Sequence, residues 1–80
     1  MTREQLLAEM DGNLTLPYFD MRVRMLDRPP ADLDAMRHSA AARYVQTLSL
    51  SIASACTDGY KRKQRRKLEK VLREYPDLME

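Results

Sequence analysis

The chain has 80 residues and a formal net charge of +2, and 44% of its residues are hydrophobic and 32% charged. A chain this short buries only about 60% of its unfolded surface, so we predict one domain over residues 1–80. The single cysteine excludes an internal disulfide and fits a reducing compartment. No apolar run approaches the ~18 residues of a membrane span, and the N-terminal residues lack the apolar core of a secretion signal. We expect a cytoplasmic protein with no membrane segment.

The chain begins with a short predicted helix. Thr2 and Gln5 have the spacing of a capping box, in which each side chain accepts a hydrogen bond from the backbone of the other. The turn-forming residues 11–13 should end this helix, with Gly12 free to adopt a positive φ.

Residues 14–27 fit two patterns. Apolar residues alternate with charged ones between Phe19 and Met25, which is typical of a strand. A helix that begins near Pro17 and is capped by Thr15 is the alternative. We favour the helix, because a single strand has no evident partner elsewhere in the chain.

A long central helix is predicted between the break at Arg28–Pro30 and the turn at Thr57–Gly59. It should run from Asp32 to about Cys56, since its apolar residues recur at steps of three and four. Residues 39–55 are rich in Ala and Ser, which would let a second helix approach closely, and we expect this segment to form the seam of a homodimer.

A last helix is predicted from Tyr60 to about Tyr75, with Asp58 as its N-cap and Pro76 as its stop. The expected fold is therefore all-α, a small bundle of three to four helices with a long central helix, dimeric in solution.

The sequence argues against catalysis. His38 and Cys56 are the only histidine and cysteine, and 18 residues of helix would place them about 27 Å apart, too far for a catalytic pair. Asp34 and His38 could share a helix face, but two ligands do not hold a structural zinc. With two glycines in all, a phosphate-binding loop is excluded. We predict a non-enzyme with no cofactor, no metal and no small-molecule substrate.

Charge is distributed unevenly along the chain. Residues 1–60 carry six basic and eight acidic side chains, a net −2, whereas residues 61–80 carry eight basic and four acidic, a net +4. The apolar stripe of the last helix is expected at Tyr60, Leu68, Val71, Leu72 and Tyr75, with the polar Gln64 in the gap. The first two turns should therefore project into solvent. The predicted binding residues are Lys61, Arg62, Lys63, Arg65, Arg66 and Lys67, flanked by Lys70 and Arg73.

Two functions fit these features. The first is a small regulatory protein that binds DNA or RNA through the basic helix. The second is a protein–protein adaptor or inhibitor, which docks a Met-containing patch and the basic helix onto a larger, partly acidic protein. This patch would consist of Phe19, Met21, Arg22, Met25 and Leu26. A simple solvated surface remains an alternative for the basic segment, and an anionic membrane is the weakest, because the segment lacks the bulky apolar face of interfacial helices.

Overall fold

The protein is described by a computed structural model in which residues 1–12 and 15–78 are defined. These residues form four α-helices and one short 3-10 turn, and no strand occurs among them. The elements are α1 (Arg3–Met10), α2 (Leu16–Val23), α3 (Leu33–Ser54), α4 (Asp58–Glu74) and the 3-10 turn Pro76–Leu78. The all-α prediction with a long central helix is confirmed, and so is the helical alternative for residues 14–27, as far as they are described.

The chain packs into two compact units, Met1–Tyr44 and Val45–Glu80, and the boundary between them falls within α3. Unit 1 contains α1, α2 and the first half of α3. Unit 2 contains the rest of α3, α4 and the 3-10 turn.

Three threonine side chains cap helix N-termini. The predicted capping box at α1 is confirmed, because Thr2 Oγ1 accepts from Gln5 N at 3.2 Å and Gln5 Oε1 accepts from Thr2 N at 2.8 Å. Thr15 caps α2 in the predicted way. The predicted cap of α4 was wrong by one residue: Thr57 has the extended backbone and accepts from the amide of Tyr60, so Asp58 becomes the first residue of the helix.

The predicted positive φ at Gly12 was also wrong, since neither glycine has a positive φ. The helix ends through right-handed backbone at Asp11, and Gly12 N donates to Glu9 O at 3.1 Å. This short turn already satisfies a terminal carbonyl, so no left-handed residue is needed there. Asn13, the last residue of the predicted turn, lies outside the described residues. The long helix ends at Ser54, two residues before the predicted end.

Unit 1 has a core that all three of its helices supply. Phe19 and Leu6 are fully buried. The other buried apolar residues are Met10, Leu16, Met36, Ala40, Ala41 and Tyr44. Burial raises the pKa of the Tyr44 phenol, which keeps it neutral. Ala40 and Ala41, two residues of the proposed dimer seam, are therefore already buried within a single chain, and the homodimer itself stays a prediction.

Unit 2 buries one face of α4. Val71 and Gln64 are buried, and Leu68, Leu72 and Tyr75 are half-buried. Leu48, from the part of α3 that belongs to this unit, is also buried. The buried face thus begins one turn earlier than predicted, because the amide Gln64 occupies the position that was expected to be a gap.

Candidate nucleic-acid interface

Most of the basic residues of α4 lie on the side of the helix away from its buried face. At about 100° of rotation per residue, five of them fall within an arc of about 100° whose centre lies opposite the stripe that contains Gln64 and Val71. We call this surface the basic face, and it consists of Arg62, Lys63, Arg66, Lys70 and Arg73. All five side chains are exposed. Exposed Arg65 and half-buried Lys61 flank it on one side, and exposed Lys67 on the other.

The arginines of unit 1 provide a contrast with the basic face, because most of them are paired with carboxylates of the same unit. Arg22 makes a bidentate contact with Glu9 at 2.6 and 2.9 Å, and this hydrogen bonding raises the pKa of its guanidinium. Arg3 contacts both carboxylate oxygens of Asp32, at 2.6 and 3.2 Å, and lowers the pKa of Asp32.

Two further arginines of unit 1 are held in the same way. Arg37 makes a bidentate contact with Asp20 at 2.8 and 3.0 Å. Arg43 donates to the carbonyl of Met10 and lies 3.3 Å from Asp11. By comparison, no carboxylate in the described ranges lies within 4.0 Å of any predicted binding residue from Lys61 to Lys67.

This uncompensated charge is unfavourable within α4. Lys61 and Arg65, Arg62 and Arg66, and Lys63 and Lys67 are like charges four residues apart, and each such pair costs about 0.2–0.5 kcal/mol. The cations also lie towards the N-terminal end of the helix, where the helix dipole favours anions. Only Asp58, in the first turn, meets that preference. An anionic ligand on this face would therefore relieve repulsion that the helix otherwise carries.

A shallow surface groove of about 330 Å³ lies at the start of the basic face. It is lined by Gly59, Arg62, Lys63 and Arg66. Apart from the neighbouring residues and the backbone of the helix itself, no heavy atom lies within 4 Å of the point where a Cβ on Gly59 would be, so a side chain would have open space there. Gly59 is not among the binding residues predicted from the sequence. A glycine one turn before a basic cluster is the signal that would have drawn attention to it.

The predicted docking patch is divided by the structure. Phe19 is fully buried, so its assignment to an exposed patch was wrong. Arg22 is held by Glu9, and Leu26 is half-buried. Met21 and Met25 remain exposed, at 52% and 55% of their surface. Exposed Tyr18 joins them, with the Arg22 guanidinium 5.7 Å from the centre of its ring.

Within residues 1–12 and 15–78, no three His, Cys, Asp or Glu side chains are grouped so as to hold a metal ion. Cys56 is a free, exposed thiol two residues after the end of α3. Across the same residues, no helix combines the length and the hydrophobicity that crossing a membrane requires. No family model, curated protein or solved structure matches the chain.

Proposed function

We propose that this protein is a non-enzymatic binding module that attaches to nucleic acid through the basic face of α4. The observation that carries the proposal is the absence of ion pairs at Lys61–Lys67 in the described structure, beside the paired arginines of unit 1. The chain places carboxylates within 4.0 Å of four other arginines, whereas none of the described carboxylates lies that close to this cluster. The phosphates of a nucleic-acid strand would supply the missing negative charge from outside.

The release of counterions from DNA determines how strongly the affinity should depend on salt concentration. A protein that neutralises Z phosphates of duplex DNA loses affinity with salt at a slope of about −0.9Z in log–log form. If each of the five side chains of the basic face contacts one phosphate, the expected slope is about −4.5. At physiological salt each contact then contributes a factor of about five in affinity, so removal of two contacts should weaken binding about 30-fold.

The test compares two doubly substituted variants with the same loss of charge. Arg62→Gln/Arg66→Gln removes two cations from the basic face. Arg24→Gln/Arg28→Gln removes two exposed cations of unit 1. Fluorescence anisotropy titrations with a labelled oligonucleotide over a range of salt concentrations give the affinity and the slope for each.

We expect the α4 variant to lose about 30-fold in affinity and about two units of salt slope, while the unit 1 variant stays close to the parent. Equal losses in both variants would show that net charge alone drives binding. If the parent protein does not bind at about 50 mM salt, where phosphate contacts are strong, the proposal is wrong. Circular dichroism of both variants confirms that their helices are intact.

A protein partner is the second candidate, and the exposed apolar side chains of α2 favour it. Tyr18, Met21 and Met25 lie on α2 or just after it and are 41–55% exposed. Methionine suits an adaptable docking surface. In this alternative the partner is a partly acidic protein. The test is a complex with the partner protein that forms in cells and resists nuclease treatment. Met21→Ser/Met25→Ser should abolish this complex, whereas Arg62→Gln/Arg66→Gln should only weaken it. A complex that survives the methionine substitutions would exclude this surface.

A further inference from the structure

The dimensions of α4 suggest which form of nucleic acid fits it. An α-helix with its side chains is about 10–12 Å in diameter, and the major groove of B-form DNA is about 12 Å wide. The basic face from Arg62 to Arg73 extends about 17 Å along the helix axis. The major groove of an RNA duplex is too deep and narrow to be entered in this way. A B-form duplex therefore offers α4 a groove that it can enter, with phosphates along both edges.

The basic face has no aromatic ring on which unpaired bases could stack. Proteins that bind single strands combine a basic groove with stacked aromatic side chains, each of which contributes about 1–3 kcal/mol. Tyr60, the aromatic residue nearest to the cluster, lies one turn before Gln64 on the same side of α4, and its hydroxyl accepts from Gln64 Nε2 at 2.8 Å. The ring is therefore held towards the buried side of the helix and away from the basic face.

The basic face also lacks an amide that could read bases. Asn and Gln side chains pair with adenine in the major groove, and Arg and Lys pair with guanine. Gln64 is the one amide residue of α4, and it is 8% exposed. Direct readout is thus restricted to guanine contacts from the arginines and lysines, and most contacts go to phosphates, which carry no sequence information.

We infer that the ligand is double-stranded B-form DNA, which α4 enters by the major groove with little dependence on sequence. This inference rests on the proposed function and specifies its substrate. The salt slopes for duplex and single strands, about −0.9Z and −0.7Z, already predict a preference of fivefold to tenfold for the duplex when five contacts form at physiological salt.

The experiment uses the full chain and three labelled ligands of one sequence, each about two helical turns long: duplex DNA, duplex RNA and single-stranded DNA. We expect duplex DNA to bind about fivefold to tenfold more tightly than single-stranded DNA, and also more tightly than duplex RNA, whose major groove is too narrow for α4. Three unrelated duplex DNA sequences should agree within about threefold, less than the discrimination of one good base contact. Gln64→Leu should leave the affinity for duplex DNA unchanged.

Competition with groove-binding dyes locates the bound helix. Methyl green, which occupies the major groove, should displace the protein, whereas netropsin, which occupies the minor groove, should not. Equal affinity for all three ligands, or displacement by netropsin alone, would overturn the inference and leave polyanion binding intact. If none of the three ligands binds, the proposed function fails as well, so the two failures are distinguishable.

Discussion

Replacement of Gln64 by leucine should stabilise the protein, although it removes a hydrogen bond. Gln64 is 8% exposed and occupies the buried face of α4 together with Val71. Its Nε2 donates to the hydroxyl of Tyr60 at 2.8 Å. Its Oε1 is buried and accepts no hydrogen bond from any described residue. The side chain therefore satisfies one of its two polar ends and leaves the other buried and unsatisfied.

The expected gain in stability follows from the two polar atoms of the Gln64 amide, of which one is hydrogen-bonded and the other, within the described chain, is not. An unsatisfied buried acceptor costs about 1–3 kcal/mol, whereas the net value of an ordinary hydrogen bond is about 0.5–1.5 kcal/mol. Tyr60 is 47% exposed, so its hydroxyl can bond to water once the amide is gone. Gln64→Leu should therefore raise the free energy of unfolding by about 1 kcal/mol. In a protein of this size that corresponds to an increase of about 4–8 °C in Tm.

Urea and thermal unfolding, followed by far-ultraviolet circular dichroism, measure this change. Tyr60→Phe is the control: it leaves Gln64 Nε2 without its acceptor and should destabilise the parent, but have almost no effect in the Gln64→Leu background. A Gln64→Leu protein less stable than the parent would refute the reasoning. That result would mean that Oε1 accepts a hydrogen bond from a donor such as bound water. The substitution would then remove two hydrogen bonds instead of one.

Three further changes test other features. Thr57→Ala removes the N-cap of α4 and should cost about 1 kcal/mol in urea unfolding, with Thr57→Ser close to the parent; equal loss in both would contradict the capping role. Gly59→Ala should stabilise the helix by up to about 1 kcal/mol, because the site is open and φ is not positive, and a loss of stability would count against this geometry. The hydrogen bond from Arg3 lowers the pKa of Asp32, so this pair stabilises above about pH 4 and its contribution is lost as pH falls through the folded pKa. The difference in unfolding free energy between the parent and Asp32→Asn should therefore shrink below about pH 4, and a difference that stays constant on acidification would disprove the linkage.

The helix boundaries that could be predicted from sequence are those set by local chemistry. Thr2 with Gln5, and Thr15 before Pro17, each place a hydroxyl acceptor next to the amides that begin a helix. At α4 two adjacent residues could both serve as caps. Only the backbone conformation decides between Thr57 and Asp58, and a sequence does not show it.

The docking patch was mispredicted for a different reason, because it combined residues from two faces of one helix. At about 100° per residue, Met21 points about 160° away from Phe19, whereas Met25 lies only about 40° from Met21. The helical alternative for residues 14–27 therefore already implied that Phe19 and the methionines could not share a surface. The burial of Gln64 was harder to predict, since a polar residue gives no sign that it occupies a position on the buried face.

The distribution of carboxylates bears on what neutralises the basic face. Glu9, Asp11, Asp20 and Asp32 are each within 4.0 Å of an arginine of unit 1, and Asp27 is 3.6 Å from the N-terminal amine. A second copy of the chain could offer these groups to α4 only by breaking pairs that it already makes. Each broken pair would leave a cation of unit 1 without its partner, so the exchange of one pair for another gains little. These five carboxylates are thus poor sources of counter-charge for α4, and a second copy would have to supply it from exposed carboxylates outside these pairs, such as Glu4, Asp34 and Asp58.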